Sequence, residues 1–322
     1  MGDTDTGDEG AWMYEGLRVA VVVPAFRERE HIAHVITTMP ATVDHIVVVD
    51  DASPDDTFEV AVAVNDARTE VLRHERNKGV GGSIVTGHRR ALELGADICV
   101  VMAGDGQMDP EQLPRLLTPL AEQGYAFAKA NRFYSATSYT GMPTHRVVGN
   151  LVLTFLTKAA SGYWNLVDPQ NGYTAITRDC LERLPLDRLA ERYEFENDQL
   201  IWLNILDARA IDVPIPARYG REVSSIKLHA VVPRLLLLLF RGFWRRVWHK
   251  YVLWSFSPVA LMLFAGSLLV LLGTVVGVWA MLASVGPSEA STGTWLLAVA
   301  PTLVGIQLLV QSLVLDIQAT PK

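Results

Sequence analysis

Two stretches near the C-terminus of this 322-residue chain contain no Asp, Glu, Lys or Arg: residues 251–288 and 290–315. Each holds more than the about 20 apolar residues with which a helix crosses the hydrocarbon of a bilayer. Core helices of soluble domains rarely run so long. The pattern therefore predicts two transmembrane helices, over residues 258–285 and 295–315, joined by a short Pro/Ser/Gly/Thr loop. These segments account for a hydrophobic share that reaches 50%. Whatever precedes them has to fold beside a membrane.

The approach to the first span carries the same message. Residues 229–254 contain Pro233, a leucine run at 235–239, then Arg241, Trp244, Arg245, Arg246 and Trp248. Leucine with tryptophan and arginine beside a span predicts helices lying in the interface, in contact with the bilayer. Arg241, Arg245, Arg246 and Lys250 crowd this side, whereas the loop between the spans carries only Glu289. That asymmetry predicts an integral membrane protein whose larger domain faces the cytoplasm, in a prokaryotic plasma membrane. The net charge of −7, with no long basic run in the first two hundred residues, excludes a nucleic-acid partner. Two cysteines, Cys99 and Cys180, cannot build a disulfide framework. Residues 1–16 are acidic (Asp3, Asp5, Asp8, Glu9), unlike a signal peptide, and predict a disordered tail.

Upstream, residues 17–228 read as one α/β domain. Apolar, β-branched runs at 17–23 and 45–49 end abruptly at Pro24 and at Asp50-Asp51, as central parallel strands do. Helices follow each, then a short strand at 70–72. Next comes Asn77-Lys78-Gly79-Val80-Gly81-Gly82-Ser83, which opens another helix, and a fourth strand at 96–102. Alternation of this kind predicts a doubly wound, mostly parallel sheet. Right-handed crossovers then gather Glu28, Asp51 and Asp105 at one carboxyl edge, where open α/β sheets bind ligands. The glycines at 79, 81 and 82 permit close backbone approach, and the helix they open offers N–H groups to phosphate.

The fourth strand delivers Ala103-Gly104-Asp105-Gly106-Gln107-Met108-Asp109-Pro110. Asp105 and Gln107 lie two apart in a turn, so both side-chain oxygens can face one Mg²⁺ or Mn²⁺ ion completed by water and substrate phosphates. The same residues also suit a plain polar turn before a helix, with Asp109 as N-cap and Pro110 at its first position.

Together with Pro24-Ala25-Phe26-Arg27-Glu28, Val49-Asp50-Asp51-Ala52-Ser53-Pro54-Asp55 and the glycine loop, Asp105-Gly106-Gln107 resembles family 2 glycosyltransferases of the GT-A fold. Within them the likeness is to dolichyl- or polyprenyl-phosphate hexose synthases. It extends through Asn131-Arg132-Phe133, Arg146 and Asp168-Pro169-Gln170-Asn171-Gly172-Tyr173. The resemblance implies inverting, metal-dependent transfer of a hexose from UDP or GDP to a polyprenyl or dolichyl phosphate. It implies that Pro24, Ala25, Phe26, Glu28, Asp51 and Lys78 contact the nucleotide sugar. Asp105 and Gln107 would take the metal, Asp105 also touching the donor, and Arg132 and Arg146 would bind the acceptor phosphate. Asp105, Arg132 and Arg146 would thus be the catalytic set. One departure stands out: the family usually reads Asp-x-Asp-x-Gln, and here Ala103 replaces the first Asp. A homo-oligomer is compatible with all of this.

The remaining elements follow from pattern. Residues 125–131 predict a fifth strand, followed by a polar loop at 135–144. A helix begins at Arg146, with Val147, Val148, Leu151, Val152, Phe155 and Leu156 on one face, expected to pack into the core. A helix at 193–206 carries Glu194, Glu196 and Asp198, expected as a solvated face, with a base the alternative. Residues 210–214 predict a further strand. Hydroxyl-acceptor synthesis is the competing activity, although the Gln-x-x-Arg-Trp sequence of processive members is missing. A catalytically inactive nucleotide-binding membrane anchor is the third reading, and Ala103 is its support.

Overall fold

In a computed structural model, residues 14–133, 144–216, 228–285 and 290–321 are described. They divide into two compact units, the first running to Gly242 and the second spanning Phe243–Thr320.

The first unit is built in chain order as β1 (Val19–Ala25), α1 (Ile32–Thr37), β2 (His45–Asp50), α2 (Thr57–Ala63), β3 (Thr69–Arg73), α3 (Val80–Glu93), β4 (Ile98–Val101), α4 (Leu113–Glu122), β5 (Phe127–Asn131), α5 (Thr144–Ser161), β6 (Thr174–Thr177), α6 (Arg178–Arg183), α7 (Phe195–Ile205), β7 (Ala210–Pro214) and most of α8 (Leu228–Arg246), whose last turn belongs to the second unit. The strands form one sheet in the order β3-β2-β1-β4-β6-β5-β7. Val19 to Val23 and Ile46 to Val49 are fully buried, because helices cover both faces of these strands. Glycine makes one of those contacts possible: a Cβ on Gly87 of α3 would stand 2.2 Å from Val22 Cγ1 of β1.

Chain order reverses at β1, whose neighbours are β2 on one side and β4 on the other. This is the switch point at which doubly wound sheets open a crevice. The sheet is parallel except for β6, which runs antiparallel to both β4 and β5. Its four residues, Thr-Ala-Ile-Thr, follow the Asp168–Tyr173 turn without an apolar run of their own. No periodic signal marks them, and the sequence reading passes over them.

The second unit holds the spans. A π-helical segment, Val247–Trp254, leads to α9 (Pro258–Ala283), and α10 (Thr292–Gln318) returns beside it. Both helices are long and apolar enough to cross a membrane. They contact through small residues seven apart: Val259, Gly266, Gly273 and Ala280 on α9, Ala298, Gly305 and Ser312 on α10. A Cβ on Gly273 would fall 2.5 Å from the Ala298 carbonyl oxygen. Backbones approach this closely only when the seam lacks side chains, the usual way spans associate without a hydrophobic drive. Where α10 ends, Asp316 accepts bonds from Arg246 Nη1 at 2.6 Å, Arg246 Nη2 at 3.2 Å and the Tyr251 hydroxyl at 2.5 Å, all buried.

Candidate active site

The turns leaving β1, β2 and β4 meet. Asp51 N–H donates to the Ala25 carbonyl at 2.9 Å, and Gly104 N–H reaches the Pro24 carbonyl at 3.2 Å. A side chain at Gly104 would press on Ala25 Cβ and Glu28 Cγ, each 3.4 Å away. Arg27 and Ala52 hold left-handed backbone at φ 63° and 56°, and Arg27 N–H bonds Ser53 Oγ at 3.0 Å. Such conformations cost energy for residues with a Cβ and persist where packing imposes them. Pro24, Ala25, Glu28, Asp51 and Asp105 are therefore neighbours, and Phe26 is exposed beside them.

Asp51 is buried, and the fold itself uses its carboxylate. Oδ1 accepts from Lys78 N–H at 2.8 Å and bonds His74 Nδ1 at 2.7 Å; Oδ2 accepts from Gly79 N–H at 2.7 Å. The glycine loop thereby differs from its expected part. Gly82 N–H donates to the Glu191 carbonyl at 2.9 Å and Ser83 N–H to the Gly79 carbonyl at 3.1 Å. A Cβ on Gly81 would stand 2.4 Å from the Ala190 carbonyl oxygen. The close approach that Gly79 and Gly81 permit is to the segment before α7, and the N–H groups of Gly79 and Gly82 are engaged within the chain. Lys78 keeps an exposed side chain.

The β4 turn both caps a helix and faces a cleft. Asp109 is the N-cap, its Oδ1 accepting from Glu111 N–H at 3.1 Å. Half-buried Asp105 accepts from Gln107 N–H at 3.0 Å, closing the turn. Asp105, Gln107, Arg132, Gln170, Asn171 and Tyr173 line one cleft of about 220 Å³. Among the described residues no three His, Cys, Asp or Glu side chains converge as a metal cage. One carboxylate with one amide oxygen nonetheless fits Mg²⁺ or Mn²⁺ when a diphosphate supplies the other oxygens, which is how Mg²⁺ is usually bound beside nucleotides.

Arg132 closes the other wall. Its Nε donates to Asp168 Oδ2 at 2.7 Å, its Nη2 to Oδ1 at 3.0 Å, and its backbone N–H to Oδ2 at 3.1 Å. Burial raises the Asp168 pKa, but these bonds and the charges of Lys129 and Arg132 outweigh it and hold the carboxyl below its usual range. Behind this pair lies buried Lys129, whose ammonium donates to the Asp168 carbonyl. Burial pushes Lys129 down to about 8 and Glu196 up to about 7. Glu196 stands directly behind the cleft, 3.7 Å from where a Gly172 side chain would begin.

The expected solvated face of α7 is therefore wrong. Glu194 and Asp198 are buried, and Asp198 Oδ2 accepts from Ala190 N–H at 3.0 Å, holding the segment on which the glycine loop rests. The apolar stripe of α5 errs in the opposite sense: Val148, Leu151, Val152 and Phe155 are exposed, not core. Arg146 belongs to the first turn of α5 and its side chain lies outside the described residues, as does most of the 135–144 loop. Lys129 was open to detection, being a lone cation inside an apolar strand. The part played by Asp198 was not, because a tertiary contact decides it.

Residues 20–184 match glycosyl transferase family 2. The chain belongs to that family. It is accordingly a glycosyltransferase. Among its relatives is a UDP-N-acetylglucosamine–dolichyl-phosphate N-acetylglucosaminyltransferase of Methanococcus voltae, 30% identical over 216 residues, or 62% of this chain and 86% of that one. An undecaprenyl-phosphate mannosyltransferase of Micrococcus luteus is 31% identical over 217 residues, 66% and 88% of the two chains. Glucosyl-3-phosphoglycerate synthase from Mycobacterium tuberculosis, solved with Mn²⁺, UDP-glucose and phosphoglyceric acid, shares the fold with a TM-score of 0.54 at 24% identity, covering 72% of this chain and 80% of its own. The family 2 assignment agrees with the sheet order, the switch-point crevice and the Asp105 turn.

Proposed function

We propose that this family 2 glycosyltransferase moves a hexose from a UDP- or GDP-sugar to a polyprenyl phosphate, with inversion at the anomeric carbon. The observation that carries the reading is the shared cleft, with the Asp105–Gln107 turn on one wall and the Arg132–Asp168 pair on the other. The names of the two relatives, which act on dolichyl and undecaprenyl phosphate, support it.

The donor lies along the turns after β1 and β2, its sugar and base against Pro24, Ala25, Phe26, Glu28, Asp51 and Lys78. Asp105 and Gln107 would hold Mg²⁺ or Mn²⁺, and the ion would supply positive charge against the departing diphosphate. A phosphate monoester is largely dianionic near neutral pH, its second pKa being about 6. It attacks without losing a proton, so the protein's work is to hold two anions together. Arg132 and Arg146 do this, guanidinium being matched to phosphate oxygens. Asp168 fixes Arg132 in place. Residues 229–254 lie in the membrane interface, and the hairpin of α9 and α10 anchors the cytoplasmic catalytic domain.

The competing hydroxyl acceptor would need a base, and Glu196, pushed up to about 7 behind the cleft, is the group that favours it. The test is incorporation of radiolabel from a panel of sugar nucleotides into butanol-extractable polyprenyl lipid, with and without EDTA. Label should enter the lipid with one donor, cease with EDTA, and be lost in Asp105→Ala. Turnover that survives EDTA sinks the metal, and label in a water-soluble glycan sinks the acceptor. A cysteine within residues 288–292 should react with an impermeant reagent from outside intact cells; reaction only after permeabilisation reverses the topology.

A further inference from the structure

The misplaced stripe on α5 has a use. Val148, Leu151, Val152 and Phe155 follow the i, i+3, i+4, i+7 spacing of one helix face, and each is more than half exposed. Four such side chains on one face form an exposed apolar surface, with Phe155 also edge-on to Trp164. The opposite side of the helix is seated on α7, where Thr157 Oγ1 bonds Asn197 Oδ1 at 3.0 Å in a buried contact.

Helix α8 also packs against α7. Gly242 packs against Ile201 of α7, so closely that a Cβ would stand 2.3 Å from Ile201 Cδ1. Its Val232, Leu236 and Phe240 are exposed. The chain then runs on through the π-helical segment into α9, the first span. One of the two exposed apolar faces is thus continuous in sequence with the membrane anchor. Charge points the same way. The chain carries 35 acidic residues against 28 basic ones, yet neither α5 nor α8 contains an Asp or Glu. Their ionisable residues are His145, Arg146 and Lys158 on α5, and His229, Arg234, Arg241, Arg245 and Arg246 on α8. Apolar faces on helices that carry basic but no acidic residues suit an anionic lipid surface, Arg246 excepted because it is buried against Asp316.

We infer that the Val148–Leu151–Val152–Phe155 face of α5 is a second membrane-docking surface, seated in the headgroup region of an anionic bilayer. A prenyl chain cannot leave the hydrocarbon, so its phosphate stays at headgroup depth. With α5 in the interface, its first turn, to which Arg146 belongs, would lie at the depth of that phosphate. This last step rests on the acceptor proposed above, whereas the docking itself does not.

The test uses the full chain in nanodiscs of phosphatidylcholine and phosphatidylglycerol, one protein per disc. Nitroxides are placed singly at Leu151→Cys, Phe155→Cys and, as a control, Val62→Cys, an exposed apolar position on α2. Labels at 151 and 155 should collide with oxygen more than with a water-soluble nickel chelate, and the label at 62 should do the reverse. Water-like collisions at 151 and 155 overturn the docking. So does dipolar broadening in proteoliposomes that disappears on dilution with unlabelled chain, because the face would then bind a second copy. The same discs are assayed for lipid-linked sugar. Membrane-buried labels without transfer keep the docking and sink the acceptor; transfer with water-like labels does the opposite. Leu151→Ser/Phe155→Ser should raise KM for a long prenyl phosphate in bilayers on the order of tenfold. It should leave kcat for a short, water-soluble prenyl phosphate unchanged; an equal loss with both acceptors also overturns the docking.

Discussion

Glu196→Gln separates a proton stored for structural reasons from one used in chemistry. Burial pushes the carboxyl from 4.5 up to about 7. The folded state therefore holds this proton more tightly than the unfolded chain does. Its contribution to stability is fully present below pH 4.5 and is lost as the pH rises through 7. At roughly 1.4 kcal/mol per pKa unit, the displacement corresponds to about 3 kcal/mol. Glutamine keeps the shape and has no proton to lose. Urea unfolding of the catalytic unit, followed by tryptophan fluorescence in detergent, should show the wild type losing about 3 kcal/mol more than the variant between pH 4.5 and 7.5. That window ends below the Lys129 transition near 8. Transfer to lipid phosphate should fall no more than a few-fold. Equal pH slopes would refute the buried proton. Loss of activity beyond a hundredfold, with the stability shift as expected, would make Glu196 a general base and the acceptor a hydroxyl.

Asp168→Asn should cost about 2 kcal/mol in the same unfolding assay, less than a fully buried pair because Arg132 reaches solvent. It should also raise KM for the lipid acceptor while leaving nucleotide affinity unchanged by calorimetry. Gly277 and Ala298 face each other with Cβ positions 3.6 Å apart, within disulfide range. Gly277→Cys/Ala298→Cys should therefore oxidise readily, and adding Gly273→Leu should abolish the cross-link by forcing the backbones apart. Arg246→Ala should lower the thermal midpoint in detergent sharply, since a buried ion pair with one partner removed costs about 3–5 kcal/mol. Arg246→Met/Asp316→Leu should recover most of it. Equal damage from the single and double variants would mean that the pair is incidental.

The sheet was legible where strands are buried on both faces. Residues 19–23, 46–49 and 98–103 have no polar interruption, so the ends of these strands and the residues gathered there follow from topology. The antiparallel β6 was not, because four residues between a turn and a helix carry no period. The two errors about helix faces share one cause. Periodicity tells which residues share a face, but not what the face meets. On α7 the Glu194 and Asp198 carboxylates are buried against other parts of the fold, while on α5 the apolar stripe faces outward. The glycine loop was misread for a related reason. Three glycines announce a close approach without saying to what, and the partner is the 190–192 backbone.

The Arg246–Asp316 pair joins residues 70 positions apart, with both spans lying between them. During synthesis the arginine is made first, and the carboxylate arrives only after α10 has formed. Until then the guanidinium lacks that carboxylate. The lock therefore ties the approach to the first helix to the end of the second: it can close only once α10 has returned to bring Asp316 beside Arg246.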